Sequence, residues 1–403
     1  MVSEEEMMNI SSQLLPKEEK LAIEQSKSSL FIGLITEYED EENRVCLTPE
    51  SIGLLVENGH RILVQKNAGK KSGYTDVQYS EQGAQIVDTL EEAMEANLIL
   101  KVSPLNGKER SLLKKKHIVI TSLQLLSQCK EYFASFVETK ATALAFEKIK
   151  DVTKAYPLIR SMSEIVGSTG IQLASYYLSH THYGNGSMLG GIPGLKPAEI
   201  VIIGAGAVGE YAARTALGMG ASVKIFDNSI YKLRRIQNNL NQNLFTSTIQ
   251  PQTLLKALKE ADVAIGALRA KDQGGYIVPE YMVESMKDKS IIIDISIDQG
   301  GVFATSRLTT HKEPVYQKHG VTHYCVPNIA SRVPYTASNA LSNFFTPLLL
   351  EMAEAGGLSQ YLKKYSGIRN GVYVFNGIIT NQIIGNKFAF NYRDLDLLLA
   401  VLH

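Results

Sequence analysis

The sequence predicts an α/β protein built from two doubly wound parallel sheets. Three observations carry that prediction. Short β-branched runs alternate with stretches of helical periodicity through the first half of the chain. A glycine-rich turn joins a strand-like run to a helix-like run near the middle. Beyond it, further short apolar runs end in turns that carry Asp, Asn and Gly.

Taken in order, Phe31–Ile35, Arg61–Gln65, Leu98–Val102, His117–Thr121 and Ala141–Ala145 read as strands. Pro49–Asn58 and Leu90–Ala96 read as the helices between them. Pro157 ends this series, and Ser161-Met-Ser-Glu164 fits a capping box opening a long helix to about Leu178. The Gly- and Pro-rich run Gly184–Lys196 leads into a strand at Val201–Ile203. Ala221–Phe226, Asp262–Gly266, Ser290–Ile295 and His323–Val326 follow as strands, and a helix runs from Tyr335 to about Ala355. That helix is long enough to return to the first domain. The expected division is an extension at 1–30, a first domain at 31–157 plus 335–403, and a second at 158–334. For the extension, a short surface helix around Lys17–Gln25 and a disordered tail are both open.

The turn is Gly204-Ala-Gly206-Ala-Val208-Gly209, directly after three β-branched residues. Gly204 permits the tight turn, Gly206 admits a pyrophosphate against the backbone, and Gly209 lets helix and strand pack closely. The N–H groups that open the following helix favour an anion. Asp227 lies 18 residues past Gly209, at the end of the next strand. There a carboxylate accepts hydrogen bonds from a ribose diol and repels a 2′-phosphate, which favours NAD(H) over NADP(H). The second domain therefore reads as a Rossmann domain.

Composition excludes several classes. Lys plus Arg and Asp plus Glu stand at 41 each, so no net field draws the chain to nucleic acid or a membrane surface. No apolar run approaches the roughly 18 residues of a transmembrane helix. Cys46, Cys129 and Cys325 are isolated thiols without metal-ligand spacing, which suits a reducing cytoplasm. Lys114-Lys115-Lys116 reads as a solvated helix end, and His180-Thr-His182 lacks a third ligand, so no metal is expected.

At the carboxyl ends of open parallel sheets ligands gather. Two such ends here are Ser296-Ile-Asp298-Gln-Gly-Gly301 and Pro327-Asn328. Asp298 reads either as a loop-capping carboxylate or as a site residue beside the dinucleotide crevice.

These motifs, with Gly33-Leu-Ile-Thr-Glu37, Asn43-Arg44-Val45, Thr48-Pro49, Leu100-Lys101-Val102, Met162-Ser163-Glu164, Gly190-Gly-Ile-Pro-Gly194, Tyr324-Cys-Val-Pro-Asn328 and Val333-Pro-Tyr-Thr336, resemble one family in one order. It is the alanine dehydrogenase family, which also includes the NAD(H)-binding domain of nicotinamide nucleotide transhydrogenase. The resemblance runs from about Phe31 to Gly377 and implies a cytoplasmic homohexamer that converts L-alanine, reversibly, to pyruvate and ammonium while reducing NAD. It implies that Arg44 holds the substrate carboxylate through a guanidinium fork. Asp298 would lie beside the nicotinamide and the reacting nitrogen, with Asn328 orienting them. Ser163, Lys232 and Leu268 would join Gly204, Gly206, Val208, Gly209 and Asp227 in contacting the cofactor.

Two family residues are replaced. Ser103 stands where the family has a second carboxylate-binding lysine, and Gln124 stands where it has the catalytic histidine. Serine brings no charge, and glutamine exchanges no proton near neutral pH. Lys101 is the nearest cation by sequence to stand in for the lysine. The replacements leave room for a same-fold oxidoreductase acting on another amino or keto acid, or for an NAD(H)-binding protein without catalysis. In transhydrogenase the same two residues are missing, but that role requires membrane and NADP(H)-binding domains. The segment Arg269–Gly275 also departs from the family's proline-bearing loop.

Overall fold

A computed structural model describes residues 28–38, 41–125, 127–268 and 276–401. The expected helix around Lys17–Gln25 and the Arg269–Gly275 loop lie outside the described residues.

The strands of the first sheet are β1 (Phe31–Leu34), β2 (Arg61–Gln65), β3 (Gln85–Val87), β4 (Leu98–Leu100), β5 (Ile118–Thr121) and β6 (Thr142–Ala145). Those of the second are β7 (Glu199–Ile203), β8 (Ser222–Phe226), β9 (Phe245–Ser247), β10 (Val263–Gly266), β11 (Ile291–Asp294), β12 (Val315–Lys318) and β13 (Val321–Tyr324). The chain then returns to the first sheet with β14 (Val372–Phe375) and β15 (Ile378–Ile379). The orders are β15-β14-β6-β5-β4-β1-β2-β3 and β12-β13-β11-β10-β7-β8-β9. Pairing is parallel throughout except where β14 meets β6 and β15, and where β12 meets β13.

Both sheets are covered on both faces, which is why their strands are apolar along their whole length. Side chains alternate across a strand. Leu98 and Leu100 therefore enter one core cluster and Ile99 the other, while Ile200 and Ile202 separate from Val201 and Ile203 in the same way.

Five helices position the site: α1 (Pro49–Glu57), α2 (Pro157–Ser179), α3 (Ala207–Gly218), α4 (Ile230–Leu240) and α5 (Pro334–Glu354). Helix α2 corrects the sequence reading. It starts four residues before the expected capping box, with Pro157 at its first position, where a missing N–H costs nothing. The Ser161 hydroxyl instead donates back to the Pro157 carbonyl oxygen at 3.2 Å, inside the helix. Strand β13 also lies two residues earlier than read, because its register follows Ile291–Ile293 of β11 and leaves Cys325 and Val326 in a buried loop. No helix among the described residues is long and apolar enough to cross a membrane.

Two buried histidines give the fold an acid-sensitive margin. His323 lies in β13 with Nε2 2.8 Å from Thr305 Oγ1 and Nδ1 3.0 Å from the Val321 carbonyl, its ring stacked on Tyr316. Burial pushes its pKa down from 6.5 to about 4, and burial with the Lys114 charge does the same to His117. Between these values the unfolded chain binds protons that the native chain refuses, so stability falls as pH drops through that window. Each imidazole contributes a slope of about 1.4 kcal/mol per pH unit there. Urea unfolding of the native sequence and of His323→Gln, followed from pH 7 to pH 4.5, is expected to differ in slope by this one-imidazole amount.

Candidate active site

The chemistry-bearing residues sit at the carboxyl ends of parallel strands in both sheets. In the second sheet the chain passes from β7 into the glycine turn, from β8 to Asp227, from β10 to Leu268, from β11 toward Asp298 and from β13 toward Asn328. In the first, β1 leads to Glu37 and Arg44, β4 to Lys101 and Ser103, and β5 to Gln124. The two sets meet. The side-chain amide of Asn328 donates to the Glu42 carboxylate at 3.0 Å and to the Glu41 carbonyl at 3.3 Å, while the His311 N–H donates to the Glu41 carboxylate at 3.0 Å.

The glycine turn is built as its spacing implies. Gly204 has a φ of 119°, and a Cβ there would lie 2.3 Å from the Ala267 carbonyl oxygen. A Cβ on Gly209 would lie 1.9 Å from the Gly204 carbonyl oxygen, so both positions need glycine for close packing. Gly206 differs: nothing lies within 4 Å of a Cβ placed there. It is the N-cap of the twelve-residue helix α3 and supplies no side-chain cap, so Val208 and its neighbours open the helix with N–H groups facing open space. That is the room and polarity a pyrophosphate needs.

Asp227 is 3% exposed. One of its oxygens accepts the Ala205 N–H at 2.8 Å and the other the Ser229 N–H at 2.8 Å. A carboxylate has about four acceptor positions, so capacity for a diol remains. Lys232, near the start of α4, brings Nζ to 3.9 Å from Asp227. Arg235 donates to the Ala205 carbonyl at 3.0 Å, a support for the turn that the sequence did not single out. Leu268 is buried at the rim. Ser163 lies within α2, where its hydroxyl donates to the Ile159 carbonyl at 2.7 Å.

Asp298 is exposed on the turn Ile297–Gln299. That turn is held from below by Asp294, whose carboxylate accepts the N–H groups of Ser296, Val302 and Phe303 and the hydroxyl of Ser306 at 2.6 Å. Burial raises the Asp294 pKa, against the pull of these hydrogen bonds.

Arg44 faces a cavity of about 270 Å³ that Thr36, Glu37, Asn43, Lys70 and Lys71 also line. Glu42 takes one edge of the guanidinium, with Nε at 2.8 Å and Nη2 at 2.7 Å. The Nη1 side has a weak acceptor, the Met162 sulfur, at 3.5 Å. Burial alone would raise the Glu42 pKa, but the Arg44 charge and hydrogen bonds outweigh it and hold the carboxyl below its usual range. Lys71 Nζ donates to the Glu42 carbonyl at 3.1 Å, which brings a second cation to this cavity.

The backbone carrying Arg44 hangs on three serine hydroxyls. Asn43 N–H donates to Ser331 Oγ at 2.8 Å, Val45 N–H to Ser338 Oγ at 2.9 Å and Thr48 N–H to Ser342 Oγ at 2.9 Å. Ser338 and Ser342 are one helical turn apart on α5, and Ser331 lies just before it. None of the three was legible as a site residue, since serine in a helix carries no marker of its partner.

Two expectations are corrected. Lys101 does not stand in for the missing lysine: it is 1% exposed, and Nζ is held by Glu109 at 2.9 Å and the Pro104 carbonyl at 3.3 Å. Gln124 does not enter the Arg44 cavity; it is exposed, at a φ of 44°, with its amide 3.4 Å from Ser122 Oγ. Of the histidine pair, His180 Nδ1 accepts the His182 N–H at 3.1 Å and is thereby used locally. The one cluster of metal-ligating atoms found among the described residues, Glu280, Glu284 and His319, lies at the surface and has Lys318 on Glu280 at 2.6 Å.

Ser338→Ala leaves the Val45 N–H buried without its acceptor, a loss of about 1–3 kcal/mol. Chemical unfolding is expected to show that loss, and Ser338→Thr is expected to recover part of it.

Residues 33–166 match the family model "Alanine dehydrogenase/PNT, N-terminal domain", and residues 170–382 match "Alanine dehydrogenase/PNT, C-terminal domain". The alanine dehydrogenase of Staphylococcus saprophyticus is 34% identical over 369 residues, covering 91% of this chain and 99% of the relative. Alanine dehydrogenase 2 of Staphylococcus aureus is 34% identical over 367 residues, covering 91% and 98%. Among solved structures, an L-alanine dehydrogenase superposes with a TM-score of 0.82 at 32% identity, over 89% of this chain and 99% of that one. A transhydrogenase from Sinorhizobium meliloti, at 21% identity and a TM-score of 0.75, covers 87% and 99% and shares the fold. On this extent of similarity, and with both family domains present in order, the chain belongs to the alanine dehydrogenase/PNT family.

Proposed function

We propose that this chain is an NAD-dependent alanine dehydrogenase, converting L-alanine and water reversibly to pyruvate and ammonium. The observation that carries the reading is Arg44, set in a cavity of about 270 Å³, in a chain that also carries the open glycine turn after β7. Bound NAD would supply the acceptor for the hydrogen on the substrate's α-carbon. The residues of this chain bind and orient. Gly206 and the first N–H groups of α3 take the pyrophosphate, with Gly204, Val208 and Gly209 shaping the turn. Asp227 takes the ribose diol, with Lys232 alongside, and Ser163 and Leu268 border the nicotinamide half.

Arg44 anchors the substrate carboxylate through the guanidinium side that Glu42 does not use. Fixing the acid at one end turns a collision into a positioned reaction, an effect that supplies several kcal/mol of barrier lowering. Asp298 sits where positive charge grows on the substrate nitrogen, and a carboxylate there favours that charge. Asn328, tied to Glu42, aligns the anchor with the cofactor side. The division at 31–157 plus 335–403 and 158–334 puts substrate and cofactor groups on opposite walls of one cleft. By family, the protein would work as a cytoplasmic homohexamer on free small molecules.

Following NADH absorbance with L-alanine, and in reverse with pyruvate and ammonium, tests the reaction directly; no absorbance change in either direction refutes it. Arg44→Ala is expected to lower kcat/KM for L-alanine by at least 100-fold while NADH affinity, read by fluorescence titration, stays within about twofold, on the order expected for losing a charged hydrogen-bond pair. Asp227→Asn removes the charge that repels a 2′-phosphate. It is expected to weaken NADH binding about tenfold, the scale of one charged hydrogen bond, and to narrow the preference for NAD over NADP in parallel titrations.

A further inference from the structure

Deamination releases nitrogen from carbon by water attack, and that step needs a group that takes and returns protons. Gln124 cannot do so, and it lies outside the Arg44 cavity. The cavity does contain one group with the right chemistry. Glu37 follows β1, lines the same cavity as Arg44, and is otherwise buried at 4% exposure. One of its oxygens accepts the Val102 N–H, and the other accepts the Ser103 hydroxyl. Ser103 is the residue that replaces the family's lysine.

We propose that Glu37, acting together with Ser103, is the proton-transferring group of this enzyme. The inference rests on the dehydrogenase reading given above. Once the substrate ammonium has shed one proton to solvent and the α-carbon has given up a hydride to bound NAD, the substrate is an iminium ion. Water forms a C–O bond to its carbon, the C=N π pair returns to nitrogen, and one water proton goes to Glu37. Glu37 passes that proton to nitrogen. The second proton leaves the new hydroxyl for Glu37 as the C–O double bond forms and the C–N bond breaks. Its return to the departing ammonia gives ammonium. Both water protons end on nitrogen, and the carboxylate is restored.

The groups around Glu37 suit this exchange. Lys101 Nζ is 3.9 Å away and closer to Glu109, at 2.9 Å, and its charge opposes the effect of burial on Glu37. Glu42 adds a like charge, with Arg44 paired to it, and Cys46 is buried nearby. Lys70 and Lys71 stand across the cavity. Burial dominates, with the Lys101 charge and the hydrogen bonds from Ser103 and Val102 opposing it, and the Glu37 pKa is pushed up from 4.5 to about 7. A general acid–base group is most effective when poised there. Glu147, a half-buried carboxyl of this domain whose pKa burial also raises, accepts the Leu123 N–H at 3.0 Å and does not line the cavity.

The test uses the full chain and the variants Glu37→Gln, Ser103→Ala and Glu147→Gln, all checked for NADH binding and melting temperature. An isotope-edited infrared titration from pH 5 to 9 reads the protonated-carboxyl band without turnover. The expected band has its midpoint near 7, is missing in Glu37→Gln and persists in Glu147→Gln. In parallel, the acid limb of kcat/KM for L-alanine is expected near the same pH. Glu37→Gln removes the limb and lowers kcat by about 10²–10⁴-fold. Ser103→Ala removes a hydrogen bond that favours the ionised form, so the limb moves to higher pH. It also serves if Glu37→Gln fails to fold.

A band that survives in Glu37→Gln, a limb unmoved by either variant, or a limb abolished by Glu147→Gln overturns the assignment while leaving the dehydrogenase reading intact. If another amino acid is oxidised but L-alanine is not, the alanine reading fails, and the same profiles on that substrate decide the role of Glu37. No turnover on any amino acid overturns both.

Discussion

The site depends on how one short stretch of irregular backbone, 43–48, is held. A loop cannot position an arginine by itself, because its N–H groups must find acceptors before it has a single conformation. Here the acceptors are the hydroxyls of Ser331, Ser338 and Ser342, all fully or almost fully buried. They come from the far end of the chain, on α5 and the turn before it. The return of the C-terminal segment to the first sheet is therefore not only a matter of closing a core. It delivers the groups that decide where the Arg44 guanidinium sits. Ser72 ties the same point again, donating to the Asn43 carbonyl at 2.6 Å and lying 2.9 Å from Ser338 Oγ.

Charge in the cleft is arranged with the same economy. A guanidinium that is mostly buried needs a counter-charge, and Glu42 supplies it from two residues away. Because Glu42 binds side-on, the pair leaves donors for a second carboxylate, which is what an anchored substrate requires. Asn328 donates to the same Glu42 carboxylate from the second sheet's side. The anchor is thus aligned with the cofactor turn through one shared oxygen, and a shift of either wall would be felt at the other.

The fold was largely legible because its signals are local. The runs Arg61–Gln65 and Leu98–Leu100 can only be buried on both faces, and the spacing of Gly204, Gly206, Gly209 and Asp227 has few other physical uses. Errors came where a local signal had two readings. Pro157 can end one element or begin the next, and Ser161 with Glu164 fits a cap that the preceding turn of helix makes unnecessary. In the sequence, candidate site residues stand out only where their chemistry is unusual, as at Arg44 and Asp298. Lys101 shows why sequence proximity says nothing of direction: just past the end of β4, the lysine turns to Glu109. Glu37, Glu42 and the three serines were missed because their roles arise from contacts across 29 to 294 residues or from a neighbour two positions away.

The two replacements that seemed most damaging can be understood as one change. A lysine at position 103 would place a full positive charge against Glu37 and hold that carboxyl ionised, as any cation within hydrogen-bonding distance does. Such a glutamate could bind but could not hold a proton near neutral pH. With Ser103 there instead, the hydroxyl donates one hydrogen bond and no charge. Lys101 still pulls the other way from 3.9 Å, but it sits closer to Glu109 and burial outweighs it. Burial then governs Glu37 and brings it to the region where a carboxyl can serve as both acid and base. On the proposal made for Glu37, proton transfer does not require an imidazole at position 124, where Gln124 is exposed. Lys71, in the turn after β2, adds a cation to the wall of the same cavity, its Nζ donating to the Glu42 carbonyl at 3.1 Å.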